Sequence, residues 1–372
     1  MPDSTCRWAI LGTADIARKN WRAIALAGNA RLVAVASRSA ERAKAFIDSC
    51  QAHVPVDPRP VAVGSYQEAL ERDDVDAVYL PLPTGIRAEW AIRAADHGKH
   101  VLVEKPCGTS VEEVERIVAA CRRAKVQFMD GVMFLHGARL EPVRQCLGRS
   151  WADGGIGTVR RIATQFSFKA PPEFFSGNIR VRHDLEPLGC LGDLGWYTIA
   201  FVLWAMHPRL PDAVTGRLVE AVPAEGGGPP VPVEFAGELI FSKAPTVTAA
   251  FFCSFLVEHQ QWVHVSGTEG SLRMEDFVLP FRDSQTSFTV ALPTFETDGC
   301  DFRMERHERQ VVVPEHGNGH PTAQEAKLFR DFSNLVLGGT PDDRWPNGSL
   351  ATQRVMMDCL AAAQTSEPLP KS

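Results

Sequence analysis

Val101-Leu102-Val103-Glu104-Lys105-Pro106 is the stretch on which the fold turns. Three consecutive β-forming apolar residues break into two charges and a proline, the pattern of a strand covered on both faces that ends at the rim of a parallel sheet. The same texture recurs on either side of it. Trp8–Leu11, Leu32–Ser37, Ala77–Leu80, His100–Val103 and Gln127–Asp130 are candidate strands. Between them, Ala40–Cys50, Tyr66–Glu71, Arg87–His97 and Val111–Ala124 carry helical patterns. Strand and helix alternating at this pitch predict a doubly wound parallel sheet with crossover helices.

From about Gly157 the texture changes. Val159–Phe168, Val233–Phe241, Thr246–Phe255, Gln261–Gly267 and Ser271–Val278 read as longer strands separated by turn residues, which predicts an antiparallel sheet. One helix, Leu191–Met206, interrupts it, and Glu225–Pro232 is too rich in Gly and Pro for regular structure. Helical patterns return from Pro321 to Leu337 and over Ser349–Gln364. The expected fold class is therefore α/β plus α+β. Residues 1–131 form a dinucleotide-binding domain, 132–320 an open-faced, mainly antiparallel α+β domain, and 321–372 helices that pack back on the first domain.

At 372 residues the chain is long enough for two cores. Its net charge of -6, with no basic block, argues against a nucleic-acid or anionic-membrane surface. Nine scattered cysteines without a Cys-x-x-Cys pair suit neither a disulfide framework nor a zinc site, so a reducing cytoplasm is expected. Met1–Arg7 runs straight into a strand without a signal core, and no apolar run reaches the roughly 18 residues of a membrane helix. His136, His183 and Glu258-His259 lack ligand spacing, so no metal is expected.

Gly12-Thr13-Ala14-Asp15-Ile16-Ala17 lies after the first strand and opens a helix, where a dinucleotide turn belongs. Ala14 and Ala17 stand where the Gly-x-Gly-x-x-Gly fingerprint has its second and third glycines. Gly12, Thr13, Ala14 and Ile16 are the candidate pyrophosphate contacts. The second strand ends in Ser37-Arg38, a hydroxyl and a guanidinium in place of the acidic residue that binds an unphosphorylated ribose. That favours NADP(H), with NAD(H) as the lesser cofactor. The third predicted strand runs into Pro81-Leu82-Pro83-Thr84, a stiff segment suited to the nicotinamide half of the cleft, with Glu104, Lys105 and Pro106 beyond the fourth. Asp193 and Tyr197 are four residues apart and share one face if helical. Lys, Asp and Tyr beside a nicotinamide would make a proton relay for moving hydride on or off a carbinol carbon. A phenol titrating at about 10 is a poor base at pH 7, and a neighbouring ammonium favours the phenolate. Only three tyrosines occur in the chain, so phenols are not generic filler.

These strings together resemble the glucose-fructose oxidoreductase / inositol dehydrogenase / rhizopine-catabolism (Gfo/Idh/MocA) family. The match runs through the Gly12 turn, Tyr79–Thr84, Gly98–Pro106, Gly189–Tyr197 and Gly267–Ser271, nearly the whole chain. Tyr197, where inositol-type members have His, is similar to the branch of glucose-fructose oxidoreductases, dimeric dihydrodiol dehydrogenases and xylose dehydrogenases. The resemblance implies a Rossmann domain, a sheet domain used for oligomerisation, and NADP(H)-linked oxidation of a sugar, polyol or cyclic diol. It puts Lys105 beside the nicotinamide, makes Tyr197 the acid/base, and has Asp193 orient substrate. Asn178 and Arg180 are further substrate candidates. Thr84 and Arg87 depart from the Asn and His usual in that loop, Leu188-Gly189 replaces a double glycine, and Met133–Arg139 differs from an aromatic-Arg-x-His-Pro string. A nucleotide sensor without catalysis is the rival expectation, and a tightly held, redox-cycling cofactor a variant of the first. An open sheet face calls for a homodimer or homotetramer.

Overall fold

The computed structural model describes residues 5–224 and 228–365. Met1–Ser4 and the first three residues of the Gly/Pro-rich loop lie outside the described residues. Contacts divide the chain into two compact units. The first takes residues up to His136, Arg182–Pro187 and Asn318–Arg354; the second takes Gly137–Val181, Leu188–Gly317 and the chain from Val355 on.

In the first unit β1 (Cys6–Leu11), β2 (Ala30–Ala36), β3 (Val61–Val63), β4 (Ala77–Leu80), β5 (His100–Val103) and β6 (Phe128–Asp130) form one sheet. Their order is β3-β2-β1-β4-β5-β6 and every pair is parallel. Chain order reverses between β1 and β4, the switch point at which doubly wound sheets open a crevice. β3 is absent from the sequence reading, so Lys105 follows the fifth strand and Pro81 the fourth. Three residues with Val61 47% exposed at the sheet edge leave little periodicity to read.

Local chemistry sets the helix ends. Ser39, Ser65 and Ser110 each accept the N–H of the third residue of the helix that follows, at Arg42, Glu68 and Glu113. Val111–Ala124 adds Glu112 and Glu113 in its first turn and Arg122 and Arg123 in its last, in line with the helix dipole. One face of the sheet is closed by the helix Gln324–Gly338. Fully buried Trp8 donates from Nε1 to Ser333 Oγ at 3.0 Å, and its ring meets Phe329 and Phe332 at 5.1 and 5.0 Å.

The second unit holds β7 (Val159–Ser167), β8 (Ala213–Val222), β9 (Val231–Phe241), β10 (Val247–Ser254), β11 (Gln260–Gly267), β12 (Ser271–Met274), β13 (Thr286–Asp298) and β14 (Asp301–Val313). Their order is β14-β13-β12-β11-β7-β10-β9-β8, antiparallel except between β7 and β10. β9 begins at Val231, one residue before the expected loop ends. Strands β10 and β11 alternate buried and half-buried residues, the sign of a sheet with one face on a core. That face carries the helix Trp196–Met206, which buries all its residues but Trp204 and Ala205. A helix apolar all round has to be buried. No helix among the described residues is long and apolar enough to cross a membrane.

Candidate active site

The candidate cofactor residues of the first unit follow the C-terminal ends of β1, β2, β4 and β5. Gly12 has φ +119, a region that favours glycine, and donates its N–H to Ala36 O at 2.9 Å. A Cβ there would stand 3.0 Å from Leu82 Cδ2 and 3.6 Å from Pro81 O, so the turn packs directly on the loop after β4. The helix Asp15–Leu26 starts from Ala14 with no side-chain cap, which leaves first-turn amides for an anion. The turn therefore fits the pyrophosphate of a dinucleotide despite its missing glycines.

At the end of β2, Ser37 is buried and donates its N–H to Val63 O at 3.2 Å, while Arg38 is exposed. Burial pushes the Tyr66 phenol up, and Arg38 and Arg42 both pull it down. Two guanidiniums thus share this corner, and Arg42 is absent from the sequence reading. Its signal was available: one turn beyond Arg38, in a helix capped by Ser39.

Beyond β4 and β5 the polar groups are locked. Asn20 Nδ2 donates to Tyr79 Oη at 2.6 Å, and Tyr79 in turn donates to Glu104 Oε1 at 2.5 Å. Burial first, then the Glu104 carboxylate, hold the Tyr79 phenol well above its ordinary range, so it stays a donor. Thr84 is buried, and Glu186 takes both its N–H (3.0 Å) and its hydroxyl (2.6 Å). Arg87, 3% exposed, reaches Thr84 Oγ1 and the carbonyls of Leu82 and Pro106. Sequence reading found neither Glu186 nor Tyr79 as a site residue; Glu186 lies 102 positions from Thr84, beyond any local pattern.

In the second unit, Leu191–Gly195 is a π-helical turn that runs into the α-helix Trp196–Met206. Such turns are frequent at functional sites. Asp193 lies in the π turn and Tyr197 in the first α turn. Arg180 Nε meets Asp193 Oδ2 at 2.9 Å, and Asn178 Oδ1 accepts the Arg180 N–H at 3.0 Å, so three expected substrate residues are brought together. Tyr197 is 7% exposed, with Phe166 edge-on to its ring at 5.6 Å. Gly189, left from the expected double glycine, has φ +47, and a Cβ would stand 2.0 Å from Pro232 O. His136 is taken up structurally, bonded to Asp331 at 2.7 Å and stacked on Trp345. Among the described residues no cluster of His, Cys, Asp or Glu could hold a metal.

Family models match both halves of the chain: an oxidoreductase family with an NAD-binding Rossmann fold over residues 6–132, and a GFO/IDH/MocA C-terminal domain over residues 147–273. The dTDP-3,4-didehydro-2,6-dideoxy-alpha-D-glucose 3-reductase of Actinomadura kijaniata is 31% identical over 359 residues, 92% of this chain and 91% of that protein. The NADP(+) D-xylose 1-dehydrogenase 2 of Haloferax volcanii is 31% identical over 292 residues, 78% of this chain and 81% of that one. A 3-ketoreductase from Actinomadura kijaniata, crystallised with NADP and TDP-benzene, superposes with a TM-score of 0.76 at 28% identity, covering 96% of this chain and 98% of its own.

Proposed function

From its place in the GFO/IDH/MocA oxidoreductase family, to which the chain belongs as an NAD(P)-dependent oxidoreductase acting on sugars, we propose an NADP(H)-linked enzyme that interconverts a carbinol and a carbonyl. The observation that carries the chemistry is the polar content of one buried helix. Asp193, paired with Arg180, and Tyr197 one turn later interrupt a mainly apolar run from Leu191 to Met206, where a polar group has to be partnered to be buried. Bound NADP(H) supplies or accepts the hydride. Tyr197 Oη gives or takes the proton at the substrate oxygen, and the Lys105 ammonium favours the phenolate form. Asp193, Arg180 and Asn178 orient the substrate hydroxyls. Gly12, Thr13, Ala14 and Ile16 hold the pyrophosphate, and Pro81–Thr84 with Glu104–Pro106 line the nicotinamide side. Ser37 and Arg38, with Arg42, take the 2′-phosphate, for want of a carboxylate that would prefer a free ribose.

A second reading of the substrate, a nucleotide-linked keto sugar reduced by NADPH, is favoured by the Actinomadura kijaniata 3-reductase, which spans 92% of this chain against 78% for the xylose dehydrogenase. The enzyme acts in the cytoplasm as a homodimer or homotetramer through the face of the second sheet.

Fluorescence titration of cofactor-stripped protein with NADPH and NADH tests the nucleotide, and absorbance at 340 nm with free sugars, polyols, cyclic diols and dTDP-keto sugars tests the reaction. Tighter binding of NADPH and turnover on one class are expected. Tighter NADH binding would remove the 2′-phosphate assignment, and binding without turnover on any class would return the protein to a sensor.

A further inference from the structure

We propose that Arg87 and Glu186 are positioning residues, a buried latch that holds the loops after β4 and β5 in one geometry for the nicotinamide half of the site. The proposal rests on the nucleotide reading above. Arg87 lies in the first turn of the helix Thr84–Asp96, where the dipole disfavours a cation, so helix stability does not account for it. It is 3% exposed, and its Nε has no hydrogen-bond partner among the described residues. A guanidinium buried with one donor idle is unfavourable unless its other donors do something specific.

They join two loops. One terminal nitrogen donates to the Leu82 carbonyl, the other to the Pro106 carbonyl and, at 3.1 Å, to Thr84 Oγ1. No neutral side chain offers this fork of donors. Glu186 fixes the arrangement from the other side through both groups of Thr84, and a carboxylate is the favourable charge at a helix N-terminus. The segment that carries Glu186 is seated closely. Gly85 donates its N–H to Leu185 O at 2.9 Å, and a Cβ on Gly85 would stand 2.4 Å from Asp184 O. Leu82 and Pro106 belong to the two loops assigned to the nicotinamide, so one guanidinium sets their spacing. Small misplacements of such groups are costly to reaction and binding alike.

The test uses Arg87→Met, Arg87→Lys and Glu186→Gln in the full chain, with NADPH affinity by fluorescence and amide hydrogen exchange at Leu82, Thr84, Lys105 and Cys107. Arg87→Met should weaken NADPH about tenfold or more and speed exchange at both loops by a similar factor, with the helix Val111–Ala124 unaffected. Arg87→Lys should recover part of both losses, and Glu186→Gln should move both in the same direction by a few fold. A lowered melting temperature with NADPH affinity and loop exchange at wild-type values would overturn the latch. So would loosened loops with unchanged affinity. A wild type that binds neither nucleotide would instead defeat the function reading, and the exchange at the two loops would then decide the latch alone.

Discussion

Arg87 in the first unit and Arg139 in the second are each 3% exposed, yet they are held in opposite ways. Arg139 meets a carboxylate: it donates to Asp276 Oδ1 and to the Asp276 carbonyl, while Asp276 Oδ2 accepts the Phe281 N–H at 2.9 Å. The charge is cancelled where it stands. Arg87 is spread over two carbonyls and a hydroxyl, and its link to the Glu186 carboxylate runs through Thr84. An ion pair closed on itself secures a fold, whereas a cation shared among loop carbonyls secures a distance between loops. The same division runs through the rest of the molecule. In the first unit Glu104 accepts from the neutral Tyr79 hydroxyl, whereas in the second Asp193 is closed on Arg180 as an ion pair.

The largest effect should fall on the chemistry of the second unit. Tyr197→Phe is expected to lower turnover by roughly 10²–10⁴-fold with NADPH affinity unchanged, read from steady-state rates at saturating nucleotide. Near-normal turnover would take the phenol out of the reaction. Arg139→Leu comes next and should act on stability alone. Leaving Asp276 unpaired is expected to cost about 3–5 kcal/mol, measured by urea denaturation. A parallel loss of NADPH affinity would erase the contrast with Arg87. Arg38→Asp, at the rim of the first unit, should weaken NADPH by roughly tenfold to a hundredfold and spare NADH. Equal losses for both nucleotides would argue against a 2′-phosphate at that corner.

The smallest effect concerns an ion pair at the foot of the first sheet. Asp76 accepts the Arg7 N–H at 2.8 Å and its guanidinium at 2.9 and 2.6 Å. Burial pushes this carboxyl up, but the Arg7 hydrogen bonds outweigh it and leave it below its ordinary value. A carboxyl lowered in the folded state adds stability that is complete above its unfolded value of about 3.9 and drains as pH falls through the folded one. The stability gap between wild type and Asp76→Asn should therefore be full at pH 7 and shrink below about pH 4. Urea midpoints across that range that keep a constant gap would show that the pair contributes by shape, not charge.

Where sequence could be read, the signal was local. Ala77–Leu80, His100–Val103 and Val111–Ala124 have the expected bounds because an apolar run or a serine cap marks each end. The helix expected from Arg87 starts at Thr84, since the carboxylate that caps it arrives from Glu186. Strands β8, β13 and β14 escaped for another reason. β8 buries one residue of its ten, and Phe295, Phe302 and Met304 are 60, 76 and 66% exposed, so along β8, the outer half of β13 and all of β14 no buried face imposes a period. Within the site, the motif residues were readable one by one. That Arg180 reaches Asp193 was not, because the two lie thirteen positions apart, one in a short 3-10 turn and the other in a π turn, beyond any single pattern.

The indole of Trp8 has a consequence for how the protein is made. Its hydrogen-bond partner, Ser333, lies 325 residues downstream, and Phe329 and Phe332 arrive with it. At translation rates of about 5–20 residues per second, the strands of the first sheet wait on the order of tens of seconds for the helix that covers them. The nucleotide-binding half, although first to leave the ribosome, is among the last parts to be closed, and in that interval a chaperone has a specific apolar surface to shield.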